Sequence, residues 1–314
     1  MRVLFWGTPE FAAAPLRALI GEGFDVGGVV TQPDKPQGRS RHFVAPPVKE
    51  IALEEKIPCF QPATPKDGEF TEMLARMQPD ISIVVAYGHI LPKPVIDLPK
   101  LGTLNVHASL LPALRGAAPI QAAIRLGFSE TGVTIMRMVP ALDAGPVILQ
   151  ASTPIPDDET YGELQLRLSE LGALTLVEAL TLMSLDRVTE TAQDESRVSY
   201  APKVTRDDAR IDWRLDASVV SRLIRAYDPK PGAFTTREGT DVKMFGPGVV
   251  DDVASGATDD RTPGTVRSVA PNVIIECGSG AIAISEVKPS GRSRMTAAEW
   301  ARGRGISAGD ILGR

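Results

Sequence analysis

Ile81-Ser82-Ile83-Val84-Val85-Ala86 is almost entirely apolar and rich in β-branched residues, the pattern of a strand covered on both faces. Such a strand needs neighbours of its own kind and helices to cover them. The chain supplies both. Arg2 to Trp6 is a short β-branched and aromatic run that stops at Gly7-Thr8-Pro9. A helix-like pattern follows from Pro9 to Gly21, with Phe11, Leu16, Leu19 and Ile20 apolar and Gly21 as terminator. Val26 to Thr31, Leu101 to Val106 and Gly132 to Met138 read as further strands, and Tyr161 to Met183 as one long amphipathic helix. The alternation predicts an α/β fold with an N-terminal Rossmann-like, doubly wound sheet.

The pattern changes toward the C-terminus. Residues 186–206 are polar and irregular, and Ala217 to Ala226 looks helical. Five short strand candidates follow: Ala233–Thr236, Val242–Phe245, Gly264–Val269, Val273–Cys277 and Ile282–Val287. Short strands between glycine-rich turns predict a smaller OB-like β-barrel domain. Asp251 to Thr262 reads as a hairpin loop, and Thr296-Ala297-Ala298-Glu299 as a capping box before a terminal helix. The expected division is a catalytic domain over 1–187, a linker over 188–206 and a barrel over 207–314, in keeping with a length of 314 residues.

Composition narrows the function classes. Hydrophobic residues make up 43% and charged residues 23%, ordinary for a globular chain with a substantial core. No apolar run reaches membrane-spanning length, and the start lacks the apolar region and cleavage site of a signal peptide, so the expected location is cytoplasmic. Cys59 and Cys277 lie far apart, without Cys-x-x-Cys spacing, and His42, His89 and His107 form no ligand pair. Neither a disulfide framework nor a metal site is expected. The net charge of −5 argues against bulk affinity for nucleic acid, but it falls wholly within the first 189 residues.

The chemistry-bearing residues concentrate in two places. Asn105 and His107 stand at i and i+2 where a buried strand ends, and so share one face if the strand continues. In open α/β sheets ligands bind beyond the carboxyl ends of strands. Alone, a histidine there is ordinarily a hydrogen-bonded structural residue. Here a proline- and glycine-rich loop, Ser109 to Pro119, follows it, and Asp143 waits in Leu142-Asp143-Ala144-Gly145. An amide can donate to a developing oxyanion, a histidine can manage a proton, and a carboxylate can orient the histidine and stabilise its cation. With no cysteine or lysine nucleophile beside them, these parts suit acyl or formyl transfer between two bound substrates. Gly7-Thr8-Pro9 is not the glycine fingerprint of a dinucleotide site, which weakens an oxidoreductase reading. Between Gln32 and Lys49 the chain carries Lys35, Arg39, Arg41, His42 and Lys49 against Asp34 alone. That loop reads equally as a solvated surface or as an element that orders on a polyanion.

Together these residues resemble the methionyl-tRNA formyltransferases, within the 10-formyltetrahydrofolate-dependent formyltransferases. The blocks that carry the resemblance are Phe5 to Phe11, Thr31 to Arg39, Val84 to Gly88 through Leu91-Pro92, and Asn105 to Gln121 joined to Leu142–Gly145. Ala209-Arg210-Ile211-Asp212-Trp213 and Pro229 to Ala233 continue it. The resemblance implies transfer of the formyl group of 10-formyltetrahydrofolate to the methionine α-amino group of initiator methionyl-tRNA. It implies Asn105, His107 and Asp143 as the catalytic set. Ser109, Leu110, Leu111, Pro112 and Tyr87 would meet the folate, and Lys35, Arg39 and Arg41 the tRNA. The barrel would grip the tRNA. No metal and no membrane are expected, and the chain is taken as a monomer without a sequence argument for it. The chain departs from the family at Ala113-Leu114, where a basic–aromatic pair is common, and at Ser40-Arg41-His42, which is less basic. Other readings remain at this point: a sugar-nucleotide formyltransferase, a hydrolase passing the formyl group to water, a nicotinamide oxidoreductase, or a non-catalytic tRNA-binding protein.

Overall fold

The computed structural model describes residues 1–37, 42–250 and 262–313. Contacts divide the chain into two units that are discontinuous in sequence. The first comprises Met1–Pro119, Glu130–Pro154 and Gln165–Ala201, and the second Ile120–Ser129, Ile155–Leu164 and the chain from Pro202 onward.

The first unit is built on a seven-stranded sheet: β1 (Arg2–Gly7), β2 (Asp25–Val30), β3 (Cys59–Phe60), β4 (Ile81–Val85), β5 (Thr103–His107), β6 (Glu130–Arg137) and β7 (Val147–Pro154). The spatial order is β7-β6-β5-β4-β1-β2-β3. Strands β1 to β5 pair in parallel, whereas β6 runs antiparallel to both β5 and β7. All five residues of β4 are buried, as its composition requires. The strand order reverses between β1 and β4, so the carboxyl ends of β1, β4 and β5 meet at the topological switch point.

Helices α1 (Ala13–Gly21), α2 (Pro47–Glu54), α3 (Gly68–Arg76) and α4 (Tyr161–Ser184) complete the elements that concern the site. Helix α1 follows a single 3-10 turn, Glu10–Ala12. Helix α2 starts with proline in its first turn, and α3 is capped by Asp67, whose side chain accepts from the Glu69 N–H at 3.0 Å. Leu168, Leu176 and Leu180 of α4 are fully buried. A Cβ on Gly172 of α4 would come within 3.0 Å of Val106 Cγ1, so this helix lies flush against β5.

In the second unit, β8 (Phe234–Arg237), β9 (Thr240–Val250), β10 (Val266–Ser268), β11 (Val273–Glu276) and β12 (Ala281–Pro289) form an antiparallel half-barrel in the order β8-β9-β12-β11-β10. Glu238 and Gly239 join β8 to β9 with φ of 50° and 73°, the two-residue turn whose twist suits a hairpin. Between β8 and β10 the C-terminal tail intervenes: Gly313 N–H donates to Thr236 O, Leu312 N–H to Gly264 O, and Val266 N–H to Asp310 O. Helix α5 (Ala217–Ala226) buries Val220 and Ile224 on this sheet. Helix α6 (Ala297–Arg302) opens on the expected capping box: Glu299 N–H donates to Thr296 Oγ1 at 3.1 Å and Thr296 N–H to Glu299 Oε2 at 3.0 Å.

The structure departs from the sequence reading in three places. Residues 188–201, read as linker, pack with the first unit: Val147 and Thr191 exchange backbone hydrogen bonds, and Tyr200–Ala201 pairs in parallel with Arg115–Gly116. A polar stretch without periodicity looks detached, yet its backbone pairing and the side chains of Glu190, Gln193, Glu195 and Ser199 hold it here. Second, residues 120–129 and 155–164, assigned to the first domain from sequence, pack with the second. Third, β3, β7, α2 and α3 were not anticipated. The loop expected over Asp251 to Thr262 falls, but for its last residue, outside the described residues. Among the described residues no helix is long and apolar enough to cross a membrane.

Candidate active site

Strand β5 runs through His107, so Asn105 and His107 project from one face while Val106 points the other way, against α4. Asn105 is fixed by ladders on two sides, pairing with Val84 of β4 and Met136 of β6, and His107 on one, pairing with Thr134 of β6. The His107 side chain is only 6% exposed. Its Nε2 lies 3.0 Å from the carbonyl oxygen of Leu114. A carbonyl can only accept, so Nε2 carries the hydrogen and the neutral ring presents a bare Nδ1. That Nδ1 faces Asp143 Oδ2 at 3.7 Å. Burial holds the imidazole below the usual histidine range, against the opposing pull of the Asp143 carboxylate and the Leu114 carbonyl. The ring's tautomer is therefore set by a backbone carbonyl rather than by the carboxylate. Asn105 is half-buried, and among the described residues its side-chain amide has no hydrogen-bond partner.

Asp143 occupies a left-handed conformation, φ 47°, which aspartate tolerates better than most residues. Its Oδ2 accepts the Gly116 N–H at 2.8 Å. Two glycines make this geometry accessible. A Cβ on Gly145 would sit 1.8 Å from the Arg137 carbonyl oxygen, and one on Gly116 (φ 124°) 2.5 Å from that of Ala201.

The loop after β5 is pinned from within. Ser109 Oγ donates to Ala113 O at 2.6 Å. Thr134 Oγ1 donates to Ser109 O at 2.6 Å and accepts the Leu111 N–H at 3.1 Å. Gln150 Nε2, from β7, donates to both Leu111 O at 2.9 Å and Thr134 Oγ1 at 2.8 Å. Leu110 packs over Gly132, Leu111 is 5% exposed, and the Leu111–Pro112 peptide is cis.

The expected site residues thus fall into groups. Asn105, His107, Asp143 and the Ser109–Pro112 loop come together around the end of β5. Tyr87 follows β4, its ring edge-on to Trp6 at 5.2 Å in the hydrophobic core, its hydroxyl buried without a partner. Burial pushes that phenol up to about 12. The Tyr87 carbonyl accepts from Gln32 Nε2 at 2.9 Å, and Lys35 Nζ donates to Gln32 Oε1 at 2.6 Å, which ties Lys35 to the same strand end. Arg39 and Arg41 lie outside the described residues.

Sequence reasoning missed the residues that hold the site. Thr134 and Gln150 could have been found as polar side chains on strand positions. Gln193 and Ser199, whose Oγ accepts the Leu114 N–H at 2.9 Å, carry no local signal. No group of three or more His, Cys, Asp and Glu residues is placed to hold a metal ion among the described residues.

Comparison with known proteins bears on the family and the fold. Residues 1–180 match the family described as formyl transferase, and residues 203–305 its C-terminal domain. Over all of both chains, the sequence is 47% identical to the methionyl-tRNA formyltransferase of Methylococcus capsulatus and 44% identical to that of Thiobacillus denitrificans. Among solved structures, HypX from Aquifex aeolicus superposes with a TM-score of 0.67 at 20% identity, over 95% of this chain and 48% of that one. An N-formyltransferase from Helicobacter canadensis gives 0.66 at 15% identity, over 90% and 97%. The structural likenesses speak for the fold; the near-half identity over full length speaks for more, and the chain belongs to the methionyl-tRNA formyltransferase family.

Proposed function

We propose that the chain transfers the formyl group of 10-formyltetrahydrofolate to the α-amino group of methionine on initiator methionyl-tRNA, for translation initiation, with Asn105, His107 and Asp143 at the reacting atoms. The observation that carries the assignment is the pairing of an unpartnered Asn105 amide with a buried His107 whose Nδ1 faces Asp143. Asn105 donates to the oxygen on which charge develops, a contribution of about 3 kcal/mol for one such donor. His107, engaged through Nε2 with Leu114, has Nδ1 to take the proton that the attacking amine releases; Asp143 stabilises the resulting cation, and the proton passes to folate N10 as its bond to the formyl carbon breaks. This favours proton transfer over oxyanion donation for His107.

The Ser109–Pro112 loop and Tyr87 flank the folate in this reading. The loop's carbonyls are largely occupied internally, so its backbone is a fixed wall rather than an adaptable one. Lys35, Arg39 and Arg41 meet the acceptor stem, and the second unit grips the tRNA body. The catalytic chemistry needs no metal. The test is transfer of labelled formyl from 10-formyltetrahydrofolate to methionyl initiator tRNA, beside uncharged tRNA and His107→Ala. Transfer that requires the charged tRNA and falls by about a hundredfold or more in the variant is expected. Formyl loss without tRNA would move the acceptor to water.

A further inference from the structure

We propose that Gln193 is a positioning residue for this reaction: its side-chain amide fastens the turn carrying Asp143 to Arg115 and so sets where the carboxylate stands against His107. The inference rests on the assignment of His107 and Asp143 made above.

Gln193 Nε2 donates to the carbonyl oxygens of Asp143 at 2.8 Å and Gly145 at 2.7 Å. Its Oε1 accepts from Arg115 Nε at 3.1 Å and Nη2 at 2.8 Å. Both amide hydrogens and both oxygen lone pairs are thus used, and only glutamine offers that inventory at this reach. Glutamate could still receive Arg115 but would turn a carboxylate toward two carbonyls. Arg115 is itself 3% exposed and held by Glu195, with Nη2 to Oε1 at 2.8 Å. Its own backbone N–H is bound by Ser199 O. The next residue, Gly116, sends its N–H to Asp143 Oδ2. Arg115 and Gly116 therefore grip the Asp143 turn at two levels, the backbone through Gln193 and the carboxylate directly. Removing the first grip leaves the carboxylate on a single backbone donor at the head of a turn that can tilt.

The test is a cycle of Gln193→Met, which keeps length and volume but cannot hydrogen-bond, with Asp143→Asn. In the parent background Gln193→Met should lower kcat about tenfold, the cost of a shift somewhat under 1 Å. KM for donor and for methionyl-tRNA should stay within about twofold. In the Asp143→Asn background the same change should do almost nothing. His107, followed by NMR in isotope-labelled protein and identified by its loss in His107→Gln, should titrate at lower pH in Gln193→Met than in the parent, because the carboxylate that favours its cation has slackened. An equal kcat loss in both backgrounds, or an unmoved His107 titration in the folded variant, overturns the proposal. If Gln193→Met does not fold, Gln193→Glu, which retains the Arg115 bonds, is read by the same cycle. A parent without formyl transfer would sink the catalytic assignment, while the His107 titration would still decide the Gln193 coupling.

Discussion

Gly145→Ala tests how tightly the Asp143 turn is specified. The added methyl would lie 1.8 Å from the Arg137 carbonyl oxygen, against a floor of 3.0 Å for real Cβ contacts, so something must move by the difference of about 1.2 Å. Arg137 is poorly placed to yield. It ends β6, its Nε is bound to Glu190 at 2.7 Å, its Nη1 to Leu101 O at 2.7 Å, and its N–H to Pro146 O. The turn therefore moves, and Asp143 is two residues away. A misplacement of about 1 Å at a reacting constellation costs on the order of a hundredfold in rate. Gly145→Ala should lower kcat by about that factor with KM for methionyl-tRNA little changed, and should cost about 1–3 kcal/mol of stability for an overpacked contact. Initial rates of formyl transfer at saturating donor measure the first, and urea titration the second. Gly21→Ala is the control: nothing lies within 4 Å of that Cβ at the end of α1, so kcat should not move. A folded Gly145→Ala protein with kcat within about threefold of the parent would refute the argument that this turn sets the carboxylate.

Asn105→Ala should lower kcat by about two to three orders of magnitude, the loss for one oxyanion donor, while donor KM holds; a single-turnover loss below tenfold would remove Asn105 from that role. His107 is held below its ordinary value of 6.5 by burial, so as pH falls through about 6.5 the unfolded chain binds a proton that the folded chain refuses, and folding stability declines. His107→Gln should accordingly lose less Tm than the parent between about pH 6.5 and 5, and parallel Tm curves would contradict the assigned direction. Thr296→Ala removes the acceptor that caps α6 at the Glu299 N–H and should destabilise the protein by about 1 kcal/mol in urea titration with kcat unchanged.

What was legible follows from where each residue's environment is set. Strands β1, β2 and β4 announce themselves because burial on both faces excludes polar residues from most of their length, and α5 and the α6 capping box because their signals are local. Strand β7 alternates between half-buried and exposed positions, so its Val-Ile-Leu start looks like the edge of a loop. Helices α2 and α3 are short and begin at Pro47 and after Asp67, within segments dominated by loop-forming residues. At the site, Asn105 and His107 could be paired because i and i+2 on a strand is a fixed relation. The tautomer of His107 could not be read, since it depends on a Leu114 carbonyl presented by a backbone turned to φ 60°. Gln193 lay equally out of reach, since its partners at Arg115, Asp143 and Gly145 come from two distant segments.

The separation of 3.7 Å between His107 Nδ1 and Asp143 is itself an argument about mechanism. At that distance the attraction between an imidazolium and a carboxylate is about 4 kcal/mol at an effective dielectric near 20. Burial outweighs it, since the imidazole is held below its usual range even with the carboxylate in place. The resting ring is therefore neutral, with its hydrogen on Nε2 and a lone pair on Nδ1. When a proton arrives at Nδ1, the desolvation cost is partly offset by a carboxylate that is already in position and bound by Gly116. A closer carboxylate would favour the cation at rest and forfeit the base; a more distant one would leave the cation unsupported. The turn geometry fixed by Gly145, Gly116 and Gln193 decides between these, which places the control of basicity in the residues that hold the carboxylate.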